Sequence, residues 1–188
     1  MDHRDFLSNL PPELRAGMTE RSDAIGLRHL AGHLGAILAC GSLIAAGAPG
    51  WPLLLPVQGV LVVFLFTLEH ECTHRTPFAS ERLNDRVGRL CGLALVLPFE
   101  WFRWFHLAHH RWTNLPGKDP ELASEKPGSP AAWVRHVSGL PYWWASLRLM
   151  AALSIGRTEG DYLPQGARAR IVREARGMAL VYAGLAAS

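Results

Sequence analysis

The chain has 188 residues, of which 49% are hydrophobic, and it carries a formal net charge of +3. The length fits one domain, and the apolar fraction excludes intrinsic disorder. Cys40, Cys72 and Cys91 are the only three cysteines and show no paired spacing, which excludes a disulfide scaffold. Basic residues alternate with acidic ones and form no run, so nucleic acid is not an expected partner.

The charged residues are distributed very unevenly along the chain. None falls between Arg28 and Glu69, which leaves 40 consecutive residues without Asp, Glu, Lys or Arg. A helix needs about 20 apolar residues to cross a bilayer, so this run predicts two crossings, over about 29–47 and 52–74. Gly and Pro between them predict the turn of a hairpin. A buried hairpin in a soluble protein is the alternative, but the run lacks the polar stripe that soluble helices carry.

Basic residues flank the predicted hairpin at both ends and are absent from its tip. Four precede the first helix and four follow the second: Arg4, Arg15, Arg21 and Arg28, then Arg75, Arg82, Arg86 and Arg89. Loops rich in Arg and Lys stay in the cytoplasm, so both ends of the hairpin are predicted to face it. Residues 1–28 are accordingly interpreted as a cytoplasmic N-terminal segment, since they are too polar for a secretory signal peptide.

The part of the chain after the hairpin is predicted to be helical and to lie at the membrane surface. Residues 75–89 are charged, whereas 90–99 are apolar, too short to span and interrupted by Pro98, which indicates a re-entrant or interfacial segment. Aromatic residues surround Arg103 and recur over 131–155 beside arginines, a pattern typical of interfacial helices.

The last twelve residues, 177–188, are apolar and end after little more than half a membrane span. An isolated half-helix would leave backbone groups unpaired in lipid, so we expect the chain to be truncated inside a third transmembrane helix. A short buried or interfacial tail is the alternative. The predicted fold is an all-α membrane protein with a transmembrane helical hairpin and interfacial or re-entrant helices.

Five of the nine histidines fall in two groups, one at the end of the hairpin and one about thirty residues later: His70 and His74, then His106, His109 and His110. Residues three or four apart share one face of a helix, so each group can present several imidazoles together. The charged stretch that follows the first group keeps the chain from crossing the membrane twice before the second. Both groups are therefore predicted to lie on the same side of the membrane and to share a metal site.

The residue types alone leave the metal open, because imidazole binds iron, zinc, copper and nickel. The segment from His70 to His74 also satisfies the HExxH pattern of zinc proteases, but a zinc site takes three protein ligands and needs no adjacent histidine pair. A haem held between histidines of different helices is another alternative. His29, His33 and His136 are weighed as additional ligands, with polar interfacial residues as the simpler interpretation.

Four segments of the chain resemble the membrane fatty acid desaturase superfamily: His70–Phe78, Leu83–Asp85, Pro98–Thr113 and Lys118–Glu121. That family shows an HxxxH box, an HxxHH box and a later HxxHH box. It binds two irons through eight or more histidines on a four-helix transmembrane scaffold. The resemblance extends from about residue 29 to the end of the chain.

The resemblance implies five metal ligands: His70 and His74 in the first box, and His106, His109 and His110 in the second. It implies two iron ions in the complete protein and no catalytic residues beyond the ligands.

Carboxylates near the boxes are candidates to accept an imidazole N–H and so to orient a ligand: Glu69, Glu71, Asp85, Glu100 and Asp119. Asp119 is the strongest of them because it lies in the family-like Asp-Pro-Glu segment.

The implied reaction is the O2-dependent introduction of a double bond into a fatty acyl lipid or acyl thioester. Electrons would come from a ferredoxin, a rubredoxin or a cytochrome b5-type donor. A di-iron hydroxylase or ketolase that acts on a carotenoid, an alkane or a sphingolipid is the alternative. The third box is absent, and five ligands do not complete two iron sites. We therefore expect 29–188 to be an incomplete desaturase-like domain with little or no activity by itself.

Overall fold

A computed structural model describes residue 6, residues 8–123 and residues 126–188, and every regular element within them is helical. The helices are α1 (Pro12–Thr19), α2 (Asp23–Ala45), α3 (Trp51–His74), α4 (Glu81–Leu95), α5 (Phe99–Trp112), α6 (Pro130–Val137), α7 (Leu140–Ser154) and α8 (Gln165–Ala186), with a 3₁₀ turn at Pro120–Ala123. The predicted all-α fold is confirmed.

The predicted hairpin consists of α2 and α3. Its tip contains Gly47 and Gly50, which adopt the positive φ angles that glycine accepts most readily. Helix α2 begins at Asp23, six residues before the predicted start, because the side chain of Ser22 accepts the N–H of Ile25 and caps the helix there.

Two helical segments have the length and composition to cross a membrane: Pro12–Ala45, which contains α1 and α2, and α3. Only 6% of the apolar window of each is buried inside the protein, unlike the core helix of a soluble protein. Leu53, Val63 and Phe64 on α3 each expose more than half of their surface. Such a surface is favourable in hydrocarbon, where the helix satisfies its own backbone groups.

The segments predicted separately over 75–89 and 90–99 are joined in α4. This helix continues to Leu95, and the chain turns at Val96, where φ is 57°, before Pro98 leads into α5. The buried residues of α4 recur at helical spacing through both halves of the helix: Asn84, Val87, Gly88, Cys91, Gly92 and Leu95. The helix therefore continues through residue 90, where the composition changes from charged to apolar, because its buried face is continuous.

The main core lies between α3, α4 and α5, and its buried members are Leu65, Cys72, Phe78, Val87, Cys91, Leu95, Leu97, Phe99 and Phe102. A second cluster joins α7 to α8 through Leu153, Leu163, Ala167, Ile171 and Ala175. The segment 177–188, predicted to be part of a third transmembrane helix, continues α8 as far as Ala186.

Buried charges connect α4 and α8 to the beginning of α5. The carboxylate of Glu100, which is 2% exposed, accepts a hydrogen bond of 2.7 Å from Arg89 and one of 3.4 Å from Arg170. Glu174 on α8 accepts the backbone N–H of Glu100 at 2.8 Å. A carboxylate on a first-turn N–H of α5 is stabilised by the dipole of that helix.

We expect the substitution Gly92→Ala to destabilise the protein. A Cβ at this position would lie 2.3 Å from the carbonyl oxygen of Leu97 and 2.9 Å from Oε1 of Glu69, and a backbone carbonyl in a tight turn moves only at a cost. Overpacking of this kind costs about 1–3 kcal/mol. Thermal unfolding of the detergent-solubilised protein should show a lower midpoint. Gly35→Ala is the matched control, because a Cβ there meets open space; an equal effect of both substitutions would contradict the prediction.

We also expect Glu174 to make stability depend on pH. Burial raises the pKa of Glu174 to about 7, from an ordinary value of 4.5. The folded protein therefore holds this proton more tightly than the unfolded chain, and the resulting stabilisation is complete below pH 4.5 and lost as the pH rises through 7. Between pH 4.5 and 8 the free energy of unfolding of the unsubstituted protein should fall by on the order of 1–3 kcal/mol relative to that of Glu174→Gln. Glu159→Gln, at an exposed position, is the control. If the free energy of unfolding depended on pH in the same way in all three proteins, the assignment of this dependence to Glu174 would be wrong.

Candidate metal centre

Four imidazoles from α3 and α5 meet in what we call the histidine cluster. His70 and His74 lie one turn apart at the end of α3, and His106 and His110 lie one turn apart on α5. One potential ligand atom from each residue lies within 4.8 Å of those of the other three. The Nε2 atom of His106 is 2.8 Å from Nε2 of His74 and 2.9 Å from Nε2 of His110.

These nitrogens fit a metal ion better than they fit one another. A neutral imidazole nitrogen either donates one proton or offers one lone pair, so Nε2 of His106 makes one in-plane hydrogen bond, although two ring nitrogens lie at that distance. Several lone pairs that converge in this way form a donor set that iron, zinc, copper or nickel accepts.

The protonation of His106 favours the same role. Burial, and after it the neighbouring imidazoles of His70, His110 and His74, together lower the pKa of this side chain to about 4. The ring is therefore neutral at physiological pH, which is the state that binds metals.

The two helices meet in register through an aromatic pair one turn before the histidines. The rings of Phe66 on α3 and Phe102 on α5 lie 5.3 Å apart, and four residues later the rings of His70 and His106 lie 4.2 Å apart. Because residues at i and i+4 share a helical face, the contact between the phenylalanines also brings the imidazoles together.

Backbone and charged contacts hold the ends of these helices. Arg75, the residue after α3, lies in the left-handed region with φ of 59°, and its carbonyl accepts a hydrogen bond of 2.7 Å from Arg21. On α5, the guanidinium of Arg103 pairs with Asp85 of α4. The same guanidinium lies 4.5 Å from the centre of the Phe99 ring. The histidine cluster is thus supported from both sides.

His109, the fifth predicted ligand, lies outside the histidine cluster. Its ring centre is 6.2 Å from that of His106, and its Nδ1 lies 2.9 Å and 3.1 Å from the two carboxylate oxygens of Asp119. This contact orients the ring and leaves Nε2 available, which is the arrangement that metal-binding histidines commonly show.

Asp119 is itself well held, at 4% exposure. Its carboxylate also accepts the backbone N–H groups of Asn114 at 2.9 Å and Glu121 at 3.0 Å. Burial acts to raise the pKa of Asp119, but the hydrogen bonds, with that from His109 first, outweigh it and hold the pKa below its ordinary value. The carboxylate therefore stays ionised opposite the imidazole.

Among the other candidate carboxylates, Glu71 also contacts the imidazole of a predicted ligand, since its Oε1 lies 3.1 Å from Nδ1 of His70. Asp85 and Glu100 bind arginines instead of imidazoles. Glu69 is fully buried, and neither of its oxygens has a hydrogen-bond partner in the described part of the chain.

The additional histidines weighed as ligands lie elsewhere. His29 lines a groove between α2 and α3. Nε2 of His33 lies 2.8 Å from the carbonyl oxygen of Leu61. The ring of His136 contacts Trp133 edge-on at 5.8 Å.

Sequence reasoning did not single out Glu174, which binds the N-terminal backbone of α5. A signal for it exists in the sequence: it is the acidic residue on the otherwise apolar face that α8 forms with Ala167, Ile171 and Ala175. An acid on a buried helical face needs a partner, and α5 supplies one.

Comparison with known proteins decides the family. The family model described as fatty acid desaturase matches residues 49–188. The chain belongs to the fatty acid desaturase family. The resemblance carried by the two histidine boxes is confirmed, and the apolar hairpin is that of a membrane protein. No solved structure matches this family member.

Several relatives are similar over parts of the chain. The sn-1 oleoyl-lipid 12-desaturase of Picosynechococcus sp. is 36% identical over 122 residues, which are 60% of this chain and 35% of that protein. The omega-3 fatty acid desaturase, endoplasmic reticulum, of Vigna radiata is 36% identical over 61 residues, which are 32% of this chain and 16% of that protein. The Delta(12) fatty acid desaturase of Mortierella isabellina is 33% identical over 69 residues, which are 37% of this chain and 17% of that protein. The chain therefore spans about a third or less of the length of these relatives.

We expect the substitution His106→Ala to weaken metal binding, because it removes the nitrogen that touches both His74 and His110. After anaerobic loading with Fe(II), the purified protein should contain iron by elemental analysis, and the variant should bind it at least tenfold more weakly. His136→Ala, which changes a histidine outside the cluster, should retain the iron. Equal iron contents in all three proteins would contradict this assignment.

Proposed function

We propose that this protein is a membrane-bound non-haem iron oxidoreductase that introduces a double bond into a fatty acyl chain. One observation carries the proposal: histidines of both boxes approach within 4.8 Å of one another in a chain of the fatty acid desaturase family. The names of its relatives, which act on oleoyl lipid and on fatty acids, support the substrate class.

The proposed iron ligands are the members of the histidine cluster, His70, His74, His106 and His110, together with His109, which Asp119 orients. Iron bound there would supply O2 activation and the removal of hydrogen from an unactivated C–H bond, with electrons from a ferredoxin, rubredoxin or cytochrome b5-type donor, a chemistry that acid–base side chains do not provide. The proposal includes two iron ions, as the family resemblance implies.

The residues of the chain supply position and environment for this chemistry. The histidine cluster lies at the end of α3, a helix apolar enough to span the bilayer, so an acyl chain can approach it from the hydrocarbon. The arginines that flank the hairpin support an arrangement in which both of its ends, and hence the cluster, face the cytoplasm. We include this multi-pass topology in the proposal, with 1–28 as the N-terminal segment and 29–188 as the desaturase-like domain.

Two alternatives fit the geometry less well. A haem held by two histidines needs room for a flat ring between them, whereas the imidazoles of His74 and His106 touch at 2.8 Å. A zinc protease site uses the two histidines of one HExxH helix and one further ligand, whereas here two helices contribute two imidazoles each.

The activity is best tested inside a full-length relative, because this chain spans 35% of the Picosynechococcus protein. Residues 70–121 would replace the corresponding segment of that 12-desaturase, and the fatty acids of a host that makes oleoyl lipids would be analysed by gas chromatography and mass spectrometry. We expect the host to accumulate acyl chains with one additional double bond.

The chimera that carries His106→Ala should form no acyl chains with the additional double bond. The chimera that carries Arg82→Gln, at an exposed position of α4, should still form them. A chimera that is membrane-integrated and loaded with iron but forms no double bond would count against the proposed function.

A further inference from the structure

An aromatic cluster beside α5 leads away from the histidine cluster, and its rings belong to Trp101, Phe105 and Tyr162. Phe105 immediately precedes His106 in the sequence. The ring of Phe105 stacks on that of Trp101 with 4.9 Å between their centres, and it meets that of Tyr162 edge-on with 6.0 Å between their centres. The aromatic cluster therefore begins at the backbone neighbour of a proposed iron ligand.

Two members of the aromatic cluster, Trp101 and Tyr162, carry rings that lose an electron readily. Trp101 lies five residues before His106, which is about 7.5 Å along the axis of α5. Tyr162 comes from the segment before α8, and both rings pack on the apolar cluster that joins α7 to α8. A path from the proposed ligand to both rings thus runs along α5 and through the ring of Phe105.

Tyr162 differs from the other two tyrosines in what its hydroxyl contacts. The hydroxyls of Tyr142 and Tyr182 donate hydrogen bonds to backbone carbonyl oxygens of α4. The hydroxyl of Tyr162 donates to no residue that the structure describes. Burial raises the pKa of Tyr162, and a hydrogen bond from Trp101 acts in the opposite direction. The phenol oxygen is therefore linked to the indole, while the phenol proton is left for solvent.

Tyr162 also opens to a groove of about 970 Å³. The groove lies on the side of α5 away from the histidine cluster, since Ala108 in its floor is about 160° around the helix from His106. Arg111 and Lys118 line it as well, and side chains of this kind keep their charged ends in water. Water and small solutes therefore reach the phenol from outside the protein.

A path of this kind would protect the proposed iron centre. Iron supplies the O2 chemistry that side chains lack, and a centre that reacts with O2 before an acyl chain is bound keeps its oxidising power. The nearest side chains are then the histidine ligands themselves, and their oxidation would destroy the centre. Indole and phenol lose one electron more easily than imidazole does, so Trp101 and Tyr162 would be oxidised in place of the ligands.

We propose that Trp101 and Tyr162 form a protective relay that carries oxidising equivalents from the proposed iron centre to the groove when no substrate is bound. The centre gains one electron, which Tyr162 loses by way of Trp101. The phenol proton passes to water in the groove, and a neutral tyrosyl radical remains. A soluble thiol then returns a hydrogen atom to the phenol oxygen, and two of the resulting thiyl radicals combine to a disulfide. The relay rests on the proposed iron centre but not on the identity of the substrate.

The test uses the full chain in digitonin, a detergent without an acyl chain, after anaerobic loading with Fe(II). Samples are mixed with O2, frozen and examined by electron paramagnetic resonance. The unsubstituted protein should show a tyrosyl radical, and Tyr162→Phe should reduce this signal at least fivefold. Tyr142→Phe, which changes a tyrosine outside the aromatic cluster, should keep it. An equal signal in Tyr162→Phe, or no signal in the unsubstituted protein, would overturn the proposal.

A second variant tests the path between the centre and Tyr162. Trp101→Phe keeps a ring against Phe105 but removes the oxidisable indole, so the radical on Tyr162 should fall at least threefold. Trp133→Phe, at an exposed position of α6, is the control and should leave the radical unchanged. Circular dichroism and elemental analysis check that each variant is folded and loaded with iron. An unchanged radical in Trp101→Phe would show that the indole is not part of the relay.

Peptide mapping supplies a measurement that a purely structural role of Tyr162 would not change. After prolonged exposure to O2, mass spectrometry should find at least threefold more oxidised histidine at His106 in Tyr162→Phe than in the unsubstituted protein or in Tyr142→Phe. A soluble thiol should lower this oxidation in the unsubstituted protein but not in Tyr162→Phe. Equal oxidation of His106 in all three proteins would refute the protective role.

Iron content separates a failure of the relay from a failure of the proposed function. An unsubstituted protein that binds no iron would refute the iron centre and the relay together. A protein that binds iron but forms no radical on Tyr162 would refute the relay alone, and the double bonds formed by the chimera would still decide the proposed function.

Discussion

The contact between α3 and α5 in register is the interaction on which the rest of the site depends. The Phe66–Phe102 pair and, one turn later, the His70–His106 pair are the same contact repeated with a change of chemistry. Because the spacing along both helices is four residues, a shift of either helix by one residue would separate the imidazoles and expose an apolar ring. One helix pair therefore supplies both the packing energy and the geometry of the candidate metal site.

Helix α4 and the buried charges explain how α5 is kept in that position. Gly88 and Gly92 let the Phe99 ring and the Leu97 carbonyl approach the backbone of α4 more closely than any other residue would allow. Glu100 and Arg103, both nearly buried, then connect α5 to arginines and a carboxylate on neighbouring helices. Buried ion pairs of this kind add little net stability but are costly to break, so they favour one arrangement of the helices.

Helix α5 separates two kinds of chemistry by its faces. One face presents His106 and His110 to α3, and the opposite face presents Trp104 and Ala108 to a groove that the loop after α5 and Tyr162 also line. Fourteen residues of one helix thus serve a polar centre that needs neutral imidazoles and an apolar surface bordered by cations. This division follows from the 3.6-residue period, which places residues about two or five apart on opposite sides.

The sequence by itself determined the all-α fold, the apolar hairpin and the two histidine groups, because charge depletion and helical spacing are local properties of the chain. Only the tertiary structure decided that four of the five predicted ligands meet while His109 turns to Asp119, that α4 runs through the change of composition at residue 90, and that Glu174 reaches the N-terminus of α5. Each of these outcomes depends on which side chain from a distant part of the chain arrives as a partner. Periodicity and composition do not carry that information, because it arises only when the helices pack.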